Sequence, residues 1–331
     1  MKKGEDIGKI YNVVNLNIRK GREYILKSRP APSLINLINR DKYLLLMFSP
    51  VFIYYIVFMY LPMPGVIMAF KDFVPGQGMF GGDWVGLRWF DQFVHSRYFW
   101  RLIRNTFLLA FYPLLFGFSI PILFAVCIVE IQNKTFKRFA QTVTYLPHFI
   151  STVVISGIII NFLSPTDGII NTLIAKMGFE KINFMMDPSW FRTIFTSSDI
   201  WQSFGFSSII YIAAIMSVDP EIYDSGKMDG VNKFQELWHL TLPSIKPTIV
   251  ILLLLSLGGI MSVGFEKVYL LYNGATYETA DVLSTYVYRM GIEGQNFGFA
   301  TAVGLFNSVV TFLLVFAANY MTRRATNMSL W

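Results

Sequence analysis

Three histidines, a few carboxylates and two Gly-Lys pairs are where chemistry in this chain would have to start, and none is spaced for it. His95, His148 and His239 fall in different regions, without the short spacings that let side chains converge on a metal. Gly8-Lys9 and Gly226-Lys227 are followed by Ile10 and Met228 rather than Ser or Thr, so neither is a phosphate-cradling loop. No HExxH or GxSxG string occurs. These absences argue against an enzyme and against a cofactor or metal held by this chain. What the sequence offers instead is a polar interruption between two hydrocarbon stretches, DPEIYDSGKMDGVNKFQELWHLTLPSIKP, residues 219–247.

The elements that position this interruption follow from composition. Of 331 residues, 54% are hydrophobic and 15% charged. A soluble domain carries about 25% charged residues, so the reading is an all-α integral membrane protein. Windows near 43–63, 105–129, 140–163, 200–218, 247–265 and 300–321 contain no Lys or Arg. Each is long enough for a hydrocarbon core of about 30 Å. Uninterrupted apolar runs without alternating polarity point to helices rather than a barrel. Lys and Arg outside the windows are enriched on the side shared with the N-terminus, which predicts both termini in the cytoplasm. The first window starts too late and runs too long for a cleaved signal peptide.

Residues 1–42 carry ten basic and four acidic side chains. Ile7, Ile10, Val14 and Ile18 fall at helical spacing, so a cytoplasmic or interfacial helix is expected there, attracted to anionic membrane lipid. No nucleic-acid motif accompanies that charge. Residues 43–331 form the six-span domain. Its first outer loop, about 64–104, is rich in Trp and Phe and reads as an interfacial belt or a surface for an external partner. The single cysteine, Cys127, lies inside the second span, where packing is its expected role.

With this topology residues 219–246 are cytoplasmic. Asp219 caps a helix whose first residue is Pro220, and Gly230 in MDG supplies a break with positive φ. VNKFQELWHLTL resumes the helix, with Phe234, Leu237, Trp238 and Thr241 expected on one side and with Pro243 and Pro247 expected to end it. An aromatic stripe outside the membrane needs a protein groove. A proton-coupled carrier would need ionisable groups within its spans, which the windows lack. Energy for uphill movement is therefore expected from elsewhere.

The segment resembles the EAA loop of binding-protein-dependent ABC importer permeases. In that pattern Glu-Ala-Ala is followed after three residues by Gly, and later by a branched aliphatic residue, one residue and Leu-Pro. Here stand Asp224-Ser225-Gly226, Gly230, Leu240, Leu242 and Pro243 at the family's spacing. The sequence departs at its start, where Gly226 replaces Ala and is expected to loosen the first helix by up to about 1 kcal/mol. KRFAQTVTYLPHFIS at 137–151 and GFEKVYLLYNGATYETADVLSTYVYR at 264–289 are similar to the oligosaccharide and polysaccharide branch of these permeases.

The resemblance implies six helices of the type I importer kind with a coupling helix seated in an ATPase groove. It implies a second, different permease subunit, two ATPase subunits that use ATP and Mg, and an extracytoplasmic solute-binding protein delivering an oligosaccharide, all at a bacterial cytoplasmic membrane. Asp224, Ser225, Gly226, Gly230, Phe234, Leu237, Trp238, Leu240, Leu242 and Pro243 would carry the coupling. Sugars favour flat aromatics with amide partners, which points to Asn161, Trp201, Gln202, Phe204, Tyr211 and Asn307 along the substrate path, with Asn319 as a further buried amide. The same architecture carrying another solute, a self-contained channel and a membrane enzyme are the competing readings.

Overall fold

The structure is a computed structural model and describes residues 40–78, 80–258 and 264–326. The expected helix carrying Ile7, Ile10, Val14 and Ile18 lies outside the described residues. Among those described, five helices are long and apolar enough to cross a membrane. A sixth crossing is available if a bent helix pair counts as one. The chain divides into two compact units, Met1–Gly65 and Val66–Trp331.

In the first unit, α1 (Lys42–Tyr55) passes into a π turn at Ile56–Tyr60. Its side chains are apolar all round and none is buried within the chain. Such a helix must find lipid or another protein to cover it. Pro50 sits inside α1 and has no N–H to give the carbonyl of Leu46, four residues back. The Ser49 hydroxyl donates to that oxygen instead, at 2.9 Å.

In the second unit a short helix, α2 (Arg88–Val94), precedes the long α3 (Phe99–Glu130). α4 (Lys134–Tyr145) and α5 (Thr152–Leu163) follow, then the short α6 (Ile169–Lys176) and the long α7 (Pro188–Met216). α8 (Pro220–Met228) precedes α9, which starts at Lys233, passes through a π stretch at Glu236–Thr241 and continues as Leu242–Gly258. α10 (Phe265–Leu271), α11 (Tyr277–Ala280) and α12 (Leu283–Tyr288) are short, and α13 (Phe297–Thr326) ends the described chain.

α3 and α7 form the central pair and run parallel. Leu109 near the start of α3 packs with Phe191 and Phe195 near the start of α7. Ala125 and Ile128 near its end pack with Tyr211, Ile212 and Ile215. Two crossings in the same direction require the chain between them to return across the membrane, and that task falls to α4 and α5. They do not form the straight third span expected at 140–163. The helix breaks after Phe149 and turns by 101°, where Pro147 starts a tighter turn and Ser151 caps α5 by accepting from the Val154 amide. α5 has 12 residues, about 18 Å at 1.5 Å per residue, too short to cross alone. α4 packs on α7 at Gly205, where any Cβ would strike the Thr144 carbonyl.

Other boundaries also move. The fourth crossing starts at Pro188 rather than residue 200, because Asp187 caps it by accepting from the Ser189 amide. α9 runs through Pro243 and Pro247, which were expected to end a helix. The wider π turn ahead of Pro243 admits a ring that a regular α-turn would exclude. The Trp- and Phe-rich loop is less a belt than a core. Trp89 and Phe93 are buried against Leu283, Tyr286, Phe299 and Val303, while Phe80, Trp84 and Trp100 remain well exposed. Cys127 is exposed on α3 rather than packed.

Candidate functional site

The interruption at 219–247 folds largely as its residues dictate. Asp219 accepts from the Glu221 amide at 3.0 Å and Pro220 takes the first helical position of α8. α8 closes with a paired left-handed cap. The Gly230 amide donates to the Lys227 carbonyl and the Val231 amide to the Gly226 carbonyl, with Gly230 at φ +74°. α9 then starts on a reciprocal cap: the Gln235 amide donates to Asn232 Oδ1 and the Asn232 amide to Gln235 Oε1, both at 2.9 Å.

Gly226 is the buried residue of α8, facing Leu240 of α9. Asp224 and Ser225 are exposed, and Asp224 pairs with Lys227 on the same helix. Phe234 and Trp238 project outward with rings 6.1 Å apart, 70% and 55% exposed. Leu237, Leu240 and Leu242 are half-buried and Pro243 is exposed. Thr241 does not join the expected stripe and is buried. The π stretch carries one extra residue in its turn, and that rotates later side chains by about 100° relative to a regular helix.

α8 is therefore a short helix held between the ends of two long ones. Ile212 and Ile215 of α7 and Ile245 of α9 share one buried cluster with Ala125 and Ile128 of α3. Lys233 ties the end of α3 to the start of α9, 2.8 Å from Glu130 and 3.2 Å from Glu236. A cavity of about 360 Å³ lies under α8, lined by Tyr223, Asp224 and Lys227 on one side and by Val129, Glu130 and Thr241 on the other. α8 meets α7 and α9 through the short chain link from the end of α7 and through Gly226 against Leu240 of α9, so a displacement of α8 bears on both.

The other end of α3 holds a charge cluster that sequence reading missed. Asp281 is fully buried. Arg289 donates to both its oxygens, at 2.7 and 3.2 Å, Arg101 lies at 3.4 Å, and Thr285 donates at 3.0 Å. Burial alone would pull the Arg289 guanidinium down, but its bonds to Asp281 and that carboxylate's charge hold it above the usual range. Buried Asn105 donates to the carbonyls of Glu278 and Asp281, at 2.9 and 3.1 Å, and its Oδ1 accepts from Arg192 at 2.9 Å. Nearby, Lys267 is almost fully buried, 3.4 Å from Asp199. Burial pushes its ammonium down, against the pull of that carboxylate.

The residues expected along a substrate path are not gathered into one place. Trp201 is exposed, Gln202 donates to the Ile150 carbonyl at 3.3 Å, and Phe204 packs edge-on against Phe124. Tyr211 is buried against Phe118 and borders a cavity of about 390 Å³ between α3, α7 and α9. Asn161 bonds the Gly157 carbonyl of its own helix. Asn307 lines a different cavity, about 670 Å³, with Ser284, Tyr288 and Thr301. Asn319 is buried in α13.

A bundle of membrane-crossing helices with a capped, outward-facing short helix at the junction of two of them is the architecture of a transporter's membrane subunit. Residues 117–327 match the family described as binding-protein-dependent transport system inner membrane component, and the chain belongs to it. The chain is 40% identical over 310 residues to protein LplB of Bacillus subtilis, covering 91% of this chain and 98% of that one. It is 41% identical over 300 residues to the polygalacturonan/rhamnogalacturonan transport system permease protein YteP of the same organism, covering 91% and 94%. Among solved structures it resembles a chain of a bacterial ABC transporter involved in the import of the acidic polysaccharide alginate, with a TM-score of 0.83 and 45% identity over 89% of this chain and all of that one. This is a transport family rather than an enzyme family, and the chain is a multi-pass membrane protein.

Proposed function

We propose that this chain is one permease subunit of an ATP-driven importer that brings oligosaccharides into the cytoplasm by alternating access. The observation that carries the reading is α8, held by Gly226 against Leu240 of α9 and joined directly along the chain to the end of α7. A rigid push on such a helix is transmitted as movement of whole spans, the kind of hinge or shear by which a site changes the side it faces. The exposed Phe234 and Trp238 fit an apolar groove on an ATPase subunit. ATP and Mg are used on two such partners. A second, different permease subunit completes the pore, and the solute-binding protein docks at the Asp281 end. In this reading α8 and both termini are cytoplasmic, which agrees with the basic residues flanking the crossings. The sugar substrate is supported by the relatives named for polysaccharide transport.

The test is reconstitution of the chain with its partner permease, ATPase subunits and binding protein in proteoliposomes, followed by uptake of a panel of labelled oligosaccharides and peptides. Oligosaccharide uptake that requires both ATP and the binding protein is expected. Uptake by this chain alone without ATP, or uptake of peptides in preference to sugars, would overturn the reading.

A further inference from the structure

Between α3 and α7 lies a cavity of about 520 Å³ that none of the expected path residues line. Its volume falls within the range of about 300–1,000 Å³ common for small-molecule sites. From α7 it receives Ser189, Arg192, Thr193, Thr196, Ser197 and Ile200, which at steps of three and four residues make one face of the helix. From α3 it receives Tyr112, Phe116 and Ile120, four residues apart on the facing side. The first residue of the α7 face lies eleven positions before the last, so the cavity runs about 16 Å along the helix. It starts at the Asp281 end and runs toward the middle of the bundle.

An arginine with four hydroxyls on a membrane-crossing helix does not face lipid. Charged side chains on membrane-crossing helices turn to an aqueous path or a polar partner. The guanidinium of Arg192 is also held in place. Its Nη2 donates to Asn105, whose amide is fixed by the Glu278 and Asp281 carbonyls. Its Nε is buried and has no partner among the described residues, and the Thr196 hydroxyl is buried in the same condition. A buried N–H left unpaired costs about 1–3 kcal/mol, and an acceptor that met this guanidinium after a small shift of the side chain would relieve that cost.

We propose that this cavity is the subsite of the translocation path that reads a carboxylate-bearing sugar unit, with Arg192 as its specificity-determining residue. A guanidinium matches a carboxylate better than a neutral hydroxyl, because the bond is charge-assisted. Thr193, Thr196 and Ser197 meet ring hydroxyls, and Tyr112 and Phe116 meet the apolar C–H face. The assignment rests on the oligosaccharide-importer reading and gives it a substrate class: oligosaccharides of uronic acids.

The experiment compares uptake of a labelled galacturonic acid trisaccharide with that of its fully methyl-esterified form, in the complete importer. Arg192→Gln keeps polar atoms and removes the charge. It is expected to lower uptake of the acid at least tenfold and to leave uptake of the ester within twofold. Thr193→Glu, at an exposed cavity position, is expected to repel the acid alone and does not depend on Arg192 for folding. Membrane level and assembly with the partner subunits are measured for both variants. Equal loss of acid and ester uptake, or no loss in either variant, overturns the subsite while the importer reading stands. If the unaltered importer takes up neither form but carries peptides, the importer reading fails and the subsite with it.

Discussion

The two ends of α3 are held by different means. At its start, a buried carboxylate is gripped by two arginines and a threonine, and an adjacent asparagine joins three helical elements through side-chain bonds. At its end, α8 is held by backbone caps and one Gly–Leu contact, and a largely exposed lysine bridge beside it ties α3 to α9. Buried charge networks fix one geometry, because every alternative leaves a charge unpaired. Caps and a small apolar contact define the shape of a local element and leave it free to travel as a unit. One end of the molecule is built to keep its arrangement, the other to be moved.

The comparison is most exposed to Asp281→Ala. Removing the carboxylate leaves Arg289 and Arg101 facing each other in a partly buried site, and breaking such a pair costs about 3–5 kcal/mol. A large fall in thermal stability in detergent and in membrane level is the expected result. A variant of unchanged stability would show that the Asp281 end is no more rigid than the α8 end.

Gly230→Pro acts at the other end and should leave the bundle standing. Proline requires φ near −65° and has no N–H, so it destroys the left-handed cap of α8, a local loss of about 3 kcal/mol. Asp224→Lys places two cations on the exposed face of α8 where an ion pair now sits. Both variants should insert and assemble with normal stability of the bundle while ATP-dependent uptake falls at least tenfold. Full uptake together with full ATPase association in either variant would sink the assignment of α8 as the coupling element.

What could be read from residue order divides along the same line as the comparison. α8 was legible because its signals are local: Asp219-Pro220 starts it and Gly230 ends it. Asp187-Pro188 is the same start signal for α7, but a charge-free window placed that crossing twelve residues late and left Arg192 in a loop. The polar face of α7 was hidden by that boundary, not by its spacing. Pro147 and Ser151 likewise marked the break between α4 and α5. The Asp281 cluster had no local signature, since Arg101 lies 180 positions away and meets it only once α3 and α12 pack. The π stretch in α9 was equally silent, and the stripe containing Thr241 failed for that reason alone.

The smallest effect, and the finest test of the comparison, is expected from Gly226→Ala. Alanine favours a helix interior by about 1 kcal/mol over glycine, so a loose α8 should tighten. Against this, the new Cβ would lie 2.6 Å from Leu240 Cδ1, the far end of a flexible side chain. Leu240 is half-buried and can rotate away, so the contact should remove most of the gain and leave stability within about 0.5 kcal/mol, the range of substitutions that strain nothing. Shortening the neighbour by Leu240→Ala removes the clash. In that background Gly226→Ala should show its full helix preference, and a double-mutant cycle should return a coupling of about 0.5–1 kcal/mol between the two positions. Additive effects would mean that α8 does not bear on Leu240. Motion of α8 would then have to reach α9 through Lys233 or through the Gly230 turn.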